Sequence, residues 1–171
     1  MKKYTLIPLF AFLVSGTAVA DDHQGLYVGV KHGRFTVDIE DANDPTDSGF
    51  LLGYNFGNGG AIEIERNSAD IEVEYNTWYR NDVSLDLTTT ALYYAFRSEG
   101  TAFFKFKAGV LKEDVSAKGC GSCSSIKESD TGLSAGIGGG FNIGPMAQFE
   151  AEYTILETDV DFLSVGLNLR F

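Results

Sequence analysis

The sequence predicts an all-β protein, an eight-stranded antiparallel up-and-down β-barrel that spans a membrane. Three observations predict this fold class: eight extended segments, connections that alternate between long and short, and a strictly alternating C-terminal segment. In that last segment, every second residue is apolar: Leu163, Val165, Leu167, Leu169 and Phe171. Successive side chains of a strand point to opposite faces, so one face is apolar and the other mostly small or polar. This pattern is typical of a strand between lipid and a polar lumen.

The N-terminal residues have the pattern of a cleaved signal peptide. Two lysines precede an apolar run, Tyr4–Val14, and the segment closes with the tripeptide A-V-A at positions 18–20. These are the basic region, apolar region and cleavage site of an export signal. The run is short for a helix that spans a bilayer, so a membrane anchor is the weaker interpretation. We therefore expect a signal peptide over residues 1–20 and one barrel domain over residues 21–171.

Composition agrees with an exported barrel and argues against a nucleic-acid partner. The 171 residues carry a formal charge of −11, and removing the two lysines of the signal peptide leaves −13. A chain this acidic is repelled by a phosphate backbone. The mean hydropathy is −0.04, because a barrel distributes its lipid-facing residues in alternation rather than in continuous runs.

The predicted strands are separated by turn-forming and polar residues. We place them near residues 25–37, 50–56, 62–66, 83–96, 102–110, 133–143, 148–155 and 161–171. In the fourth, the apolar parity changes past Thr88, which favours a β-bulge there. Tight turns are predicted at 57–60, 97–100 and 144–145, and longer polar connections at 38–47, 67–82 and 112–130.

Alternation of short and long connections indicates which side of the membrane each end faces. Outer-membrane barrels have short periplasmic turns and longer outer loops, and an even strand number leaves both termini in the periplasm. A soluble lipocalin-type barrel also alternates and is the alternative. Aromatic residues at strand ends, where an interfacial girdle would lie, favour the membrane barrel: Tyr54, Phe56, Tyr93, Tyr94, Phe96, Phe141 and Phe171.

Three segments carry a resemblance to a known family. They are the early strand with Tyr27-Val28-Gly29, the late strand Phe149–Tyr153 (F-E-A-E-Y) and the terminal Leu169-Arg170-Phe171. With them, the chain resembles the small eight-stranded Gram-negative outer-membrane proteins of the OmpA-transmembrane-domain and OmpX type. The resemblance implies a monomer in contact with outer-membrane lipid and lipopolysaccharide. It also implies insertion by the barrel-assembly machinery, with Phe171 as part of the assembly signal.

Charged residues alternate with apolar ones in several strands and are expected to face the lumen. They are Lys31, Lys105, Lys107 and Arg170 opposite Glu63, Glu65, Glu150 and Glu152. An eight-stranded barrel is just wide enough for side chains to fill, and buried charge is tolerable when it is paired. We therefore predict an ion-pair network that plugs the lumen, in preference to acid–base catalysis by the paired carboxylates. Gly136, Gly138 and Gly140 share one face of their strand and would leave space for these long side chains.

The two cysteines, Cys120 and Cys123, lie in a C-x-x-C spacing within the third long connection. An exported chain meets an oxidising compartment, so a local disulfide is the plain interpretation. A redox or metal site is the alternative, and the sequence offers neither a second ligand pair nor a βαβ context for one. We predict no bound metal or cofactor.

The long connections carry the functional hint. The predicted loops 38–47, 67–82, 112–130 and 157–161 hold −12 of the −13 charge of residues 21–171. Clustered carboxylates attract divalent cations or a basic partner, or they only keep the loops solvated. We expect a non-enzymatic structural or surface-interaction role. The alternatives are a porin-like channel for small solutes and a barrel enzyme, which the lack of histidine after His32 disfavours.

Overall fold

The computed structural model describes residues 24–37, 46–73, 83–118, 127–157 and 160–171. These residues form eight strands: β1 (Gln24–Val37), β2 (Thr46–Phe56), β3 (Gly60–Val73), β4 (Val83–Arg97), β5 (Ala102–Lys118), β6 (Lys127–Ile143), β7 (Ala147–Glu157) and β8 (Val160–Arg170). In the described ranges, no helix is long and apolar enough to cross a membrane.

The strands form a closed barrel in which each strand pairs antiparallel with the next in sequence. Closure is made by β1 and β8, which pair from Tyr27↔Arg170 to Val37↔Val160. The predicted fold class, an eight-stranded antiparallel up-and-down barrel, is confirmed. Closure leaves no sheet edge within the barrel wall, which satisfies backbone hydrogen bonding in a bilayer.

Alternation of exposure explains how this sequence fits a membrane. Exposed and buried residues alternate along the whole of β2. Across three neighbouring strands, the paired residues Ile64, Leu92 and Val110 all face outward and are about half exposed (48%, 49% and 48%). The outer surface is therefore apolar, whereas many inward residues are charged. A soluble barrel would show the opposite arrangement, so the exterior is suited to lipid.

Three tight turns lie at the end of the barrel that also holds Gln24 and Phe171. They span residues 57–59, 98–101 and 144–146. Gly59 has a positive φ of 81°, which favours glycine, and its carbonyl accepts a hydrogen bond from Arg97 N at 2.8 Å. The other four connections, 38–45, 74–82, 119–126 and 158–159, join the strands at the opposite end. Three of these four span eight or nine residues and the last spans two, so the predicted alternation of long and short connections holds as far as β7.

The strands at the long-connection end run further than predicted. β3 continues to Val73, β5 to Lys118, and β6 begins at Lys127. Much of the predicted loops 67–82 and 112–130 is therefore strand. The ladder continues there through polar pairs such as Asp70↔Asp86. In β3 the apolar residues change from even positions (Ile62, Ile64) to odd positions (Ala69, Ile71, Val73), which interrupts the alternation that predicts the strand, so its end was missed.

The prediction of a β-bulge near Thr88 was wrong. β4 pairs with β3 and β5 in one continuous register along its described length. Leu87 faces inward into an apolar part of the lumen (6% exposed), whereas Leu92 faces outward (49% exposed). The apolar parity changes because the lumen changes from apolar to charged along β4, not because the backbone shifts.

Deleting Phe171 should impair assembly of the barrel. Its backbone N donates to Leu26 O at 2.9 Å, and its ring is 58% exposed at the barrel end. The deletion removes both the hydrogen bond from Phe171 N to Leu26 O, which extends the β1–β8 pairing, and the exposed aromatic ring, so we expect less folded protein in the membrane. The measurement is the fraction that shows heat-modifiable gel migration in isolated outer membranes. Phe104→Ala, at an exposed lipid-facing ring, is the matched control, and normal assembly without Phe171 would contradict the prediction.

Candidate functional site

The inward side chains divide the lumen into an apolar part and a charged part. The part nearer the long connections is an apolar cluster: Phe35, Ala69, Leu87, Ala91, Tyr93, Leu111, Leu156 and Phe162. The charged part, nearer the tight turns, is an ion-pair network: Lys31, Glu63, Glu65, Arg97, Lys105, Lys107, Glu150 and Glu152. Each network residue is at most 5% exposed.

Strand geometry places the charges. β3, β5 and β7 each contribute two residues at alternate positions, and β1 and β4 contribute one each. Residues two apart in a strand share a face, so each charged pair points into the lumen together. The charged faces of β3 and β7 are acidic and that of β5 is basic. The network holds four positive and four negative groups, so its formal charge is zero.

Lys105 lies at the centre of the network. Its Nζ is 2.9 Å from Glu63 Oε2 and 3.0 Å from Glu150 Oε2, and it also contacts Glu152. One ammonium group thereby bridges carboxylates from β3 and β7. This connection across the lumen satisfies buried charges that would otherwise be costly.

The other two lysines form a second set of bridges, nearer the apolar cluster. Lys107 Nζ lies 2.8 Å from Glu65 Oε1 and 3.2 Å from Glu152 Oε2. Lys31 Nζ lies 2.7 Å from Glu65 Oε1 and also contacts Glu152. Lys107 in addition sits 4.4 Å from the ring centroid of Tyr93, a cation–π contact. Tyr93 thus links the network to the apolar cluster.

Arg97 is the network residue that sequence reasoning missed, because it was placed in a turn. Its Nη2 is 2.5 Å from Glu63 Oε1 and its Nε 2.6 Å from Glu150 Oε1. Its Nη1 donates to Tyr27 Oη at 3.1 Å, and Tyr27 Oη donates to Glu63 Oε1 at 2.6 Å. The sequence could have identified it. Arg97 lies four residues after Tyr93, so both side chains are on the same face of an extended strand, and the predicted strand needed only one more residue to include it.

Arg170, predicted as a network cation, lies at the mouth of the barrel instead. It is partly buried and its Nη2 donates to Asn142 Oδ1 at 2.7 Å. The other seven predicted residues are brought together as described. Within the described part of the chain, the four glutamates form ion pairs with Lys31, Arg97, Lys105 and Lys107.

Gly136 and Gly138 on β6 provide room for the network, as predicted, whereas Gly140 leaves space for the ring of Phe103. A Cβ atom added at Gly136 would lie 2.9 Å from Lys107 Cε, and one at Gly138 would lie 2.9 Å from Glu152 Cγ. A side chain at either position would displace a network residue. The absence of side chains at these glycines therefore leaves the space that the long side chains of the network fill.

Three carboxylates come close enough together to hold a metal ion. Glu63, Glu65 and Glu152 each offer an oxygen within 4.8 Å of the others. The ammonium groups of Lys31, Lys105 and Lys107 contact these same carboxylates. A metal ion would have to displace them, so the donor set fits ammonium ions better than a metal. The carboxylates are at most 3% exposed, and a substrate would need to pass the surrounding side chains to reach them.

Three predictions lie wholly or largely outside the described residues. These are the signal peptide over residues 1–20, the disulfide between Cys120 and Cys123, and the acidic loops, of which 38–45, 74–82, 119–126 and 158–159 are not described. The remaining site residue, Phe171, lies beside β1 at the turn end, as given above. Its predicted role as an assembly signal stays a prediction.

A closed eight-stranded barrel with an apolar exterior and a charged interior defines a transmembrane β-barrel protein. The chain belongs to the outer membrane protein beta-barrel domain family, whose model matches residues 5–171. No curated protein sequence matches it significantly.

Solved structures with the same fold come from several bacteria. OprG from Pseudomonas aeruginosa is 11% identical, with 87% of this chain and 97% of OprG covered and a TM-score of 0.64. Ail, the attachment invasion locus protein of Yersinia pestis, is 18% identical, with 86% and 97% covered and a TM-score of 0.59. Neisserial surface protein A is 15% identical, with 85% and 96% covered and a TM-score of 0.59. At these identities the likeness shows the fold alone.

Arg97→Ala should destabilise the barrel much more than Arg170→Ala. Removing Arg97 leaves Glu63 and Glu150 to share the ammonium group of Lys105, so the network keeps one buried negative charge in excess, a change that typically costs about 3–5 kcal/mol. Arg170 is partly exposed, so water can replace the contacts of its guanidinium group, including the hydrogen bond to Asn142, and its removal should cost less. Urea unfolding of both variants in lipid vesicles measures the difference. Equal free energies of unfolding for the two variants would contradict the assignment of Arg97 to the network.

Proposed function

We propose that this protein is a non-enzymatic, monomeric outer-membrane barrel that interacts at the cell surface through its acidic long connections, while its lumen is closed to solutes. In this orientation the tight turns and both termini face the periplasm. The acidic residues of the long connections and the strand extensions at the same end of the barrel carry the proposal. The closed lumen supports it by disfavouring the two alternatives.

The lumen supports neither a channel nor an enzyme. Phe35 and Phe162 stack with ring centroids 4.6 Å apart within the apolar cluster. Beneath them, the ion-pair network joins five strands across the lumen. A packed apolar cluster over paired charges is a barrier to ions. The paired carboxylates are bound by lysine and arginine, which leaves no group placed for acid–base chemistry among the described network residues.

Part of the sheet extends beyond the rest of the barrel at the long-connection end. β6 continues for eight residues, Lys127–Ser134, beyond its last pair with β7, Ala135↔Ile155. β3 continues through Asp70–Val73 beyond its last pair with β2, Asp47↔Ala69. β4 and β5 lie between them and pair throughout. Four strands thus present two edges, among the described strands, to which a partner could add a strand.

The charge of the long connections favours a basic partner or cations. Residues 38–45 contain four acidic residues and no basic one: Asp38, Glu40, Asp41 and Asp44. The structure of Ail was solved in complex with the heparin analogue sucrose octasulfate, a polyanion. The acidic connections of this chain would repel such a ligand. The two barrels share a fold, and surface charge favours different partners.

Outward-facing cations support contact with anionic lipid, as the family resemblance implies. Arg66, Thr90 and Lys112 are cross-strand neighbours on β3, β4 and β5, and all three are exposed. They lie one row beyond the apolar row of Ile64, Leu92 and Val110. Basic groups at the edge of an apolar band are suited to phosphate groups of lipid or lipopolysaccharide.

Replacing acidic residues of the first long connection should weaken binding to a basic surface. Asp47 is excluded from the substitution because it lies in β2, is 1% exposed, and accepts a hydrogen bond from Ser68 N at 2.9 Å. We expect the triple variant Asp38→Asn, Asp41→Asn, Asp44→Asn to lose most of the binding of nanodisc-embedded protein to immobilised poly-lysine. Wild-type binding should also fall as salt rises, since exposed charges are screened over about 8 Å at physiological ionic strength.

The control for this experiment is Glu99→Gln, an exposed acidic residue at the tight-turn end. It removes one carboxylate from the opposite side of the membrane and should leave binding unchanged. If the triple variant binds like the wild type at every salt concentration, the acidic residues serve only to solvate the loop, and the proposed interaction fails.

A further inference from the structure

We infer that the tight-turn end of the barrel holds a binding site for a small organic carboxylate. A cavity of about 290 Å³ lies there between the turns and the ion-pair network, lined chiefly by Asn55, Arg97, Phe103, Asn142, Gln148 and Arg170. This volume is at the small end of the range for ligand pockets. The site is independent of the surface role proposed above, because it lies at the opposite end of the barrel.

Charge selects an anion. Two guanidinium groups, those of Arg97 and Arg170, line the cavity, and the single carboxylate among its lining residues is Glu99. Glu99 is exposed, so water screens it. Arg170 reaches the cavity from the last residue of β8, so its guanidinium group lines the same space as that of Arg97.

The polar groups of the cavity are held in place before a ligand arrives. Asn142 Nδ2 donates to Gly100 O at 2.7 Å, and Asn142 Oδ1 accepts from Arg170 Nη2 at 2.7 Å. The turn thereby orients Arg170 through Asn142. Asn55 Oδ1 accepts from Gly57 N at 2.9 Å, which leaves its NH₂ group as the donor available to a ligand. An oriented guanidinium fork with nearby amide donors matches the geometry of a carboxylate.

One wall of the cavity is apolar. Phe103 is 5% exposed, and its Cζ would lie 2.5 Å from a Cβ atom placed at Gly140, so its ring packs tightly against β6. A ligand with both a carboxylate and an apolar group would satisfy the arginine and this ring together. The end of a short peptide or an N-acylated amino acid has that chemistry. Because the apolar cluster closes the other end of the lumen, such a ligand binds and leaves from the turn end.

The test compares a carboxylate with its neutral counterpart on the intact protein in detergent micelles. The probes are N-acetyl-phenylalanine and N-acetyl-phenylalanine amide, titrated by calorimetry at matched ionic strength. We expect saturable binding of the acid and at least tenfold weaker binding of the amide. Arg170→Gln should weaken binding of the acid at least tenfold. Arg34→Gln, an exposed arginine at the long-connection end, is the matched control and should leave it unchanged.

Several results would overturn the inference. These are no saturable binding of the acid, equal affinities of acid and amide, or unchanged affinity in a folded Arg170→Gln protein. Inorganic phosphate is a third probe. If phosphate binds as tightly as the acid, the site binds anions in general and the assignment to an organic carboxylate is wrong. The acid-to-amide comparison uses the wild type alone, so it decides the question even if Arg170→Gln does not assemble.

Discussion

The structure depends on the pairing of eight charges inside a barrel too narrow to hold bulk water. Eight strands enclose only enough space for side chains, and a lone buried charge there would be strongly destabilising. The network avoids this by bridging: Lys105 joins carboxylates of β3 and β7, and Arg97 joins Glu63 with Glu150. The glycines of β6 and the inward position of Tyr27 follow from the same constraint, since they give the charged groups space and a hydrogen-bond partner.

The two ends of the lumen differ, and this difference separates two activities. At the long-connection end, stacked rings such as Phe35 and Phe162 form an apolar layer, and the polar strand extensions lie beyond it. At the turn end, amide side chains and Arg170 surround an open cavity. Surface interaction and carboxylate binding are therefore proposed at separate sites, and a change at one end should leave the other intact. The barrel wall between them acts as a rigid, closed support.

Period-two alternation was sufficient to predict the fold class, because lipid requires an apolar residue at every second position of each strand. It also predicted seven of the network residues. Alternation could not identify Arg97, since a charged residue beside a turn has the same local pattern whether it faces water or the lumen. Asp47 was missed for a related reason: it follows a polar stretch, yet it is buried by the contact with Ser68. The ends of β3 and β5 were missed because the apolar residues change there from even to odd positions, as from Ile64 to Ile71 and from Val110 to Val115, which interrupts the alternation.

The most direct test of the central claim is single-channel recording of the purified, unaltered protein in a planar lipid bilayer. If the paired charges and the apolar cluster close the lumen, inserted protein should show no steady conductance above the bare bilayer. Folding of the protein used for the recordings would be verified by its heat-modifiable gel migration. Large, steady single-channel currents would contradict the account, because they would require a water-filled path through Lys31, Lys105 and their glutamate partners.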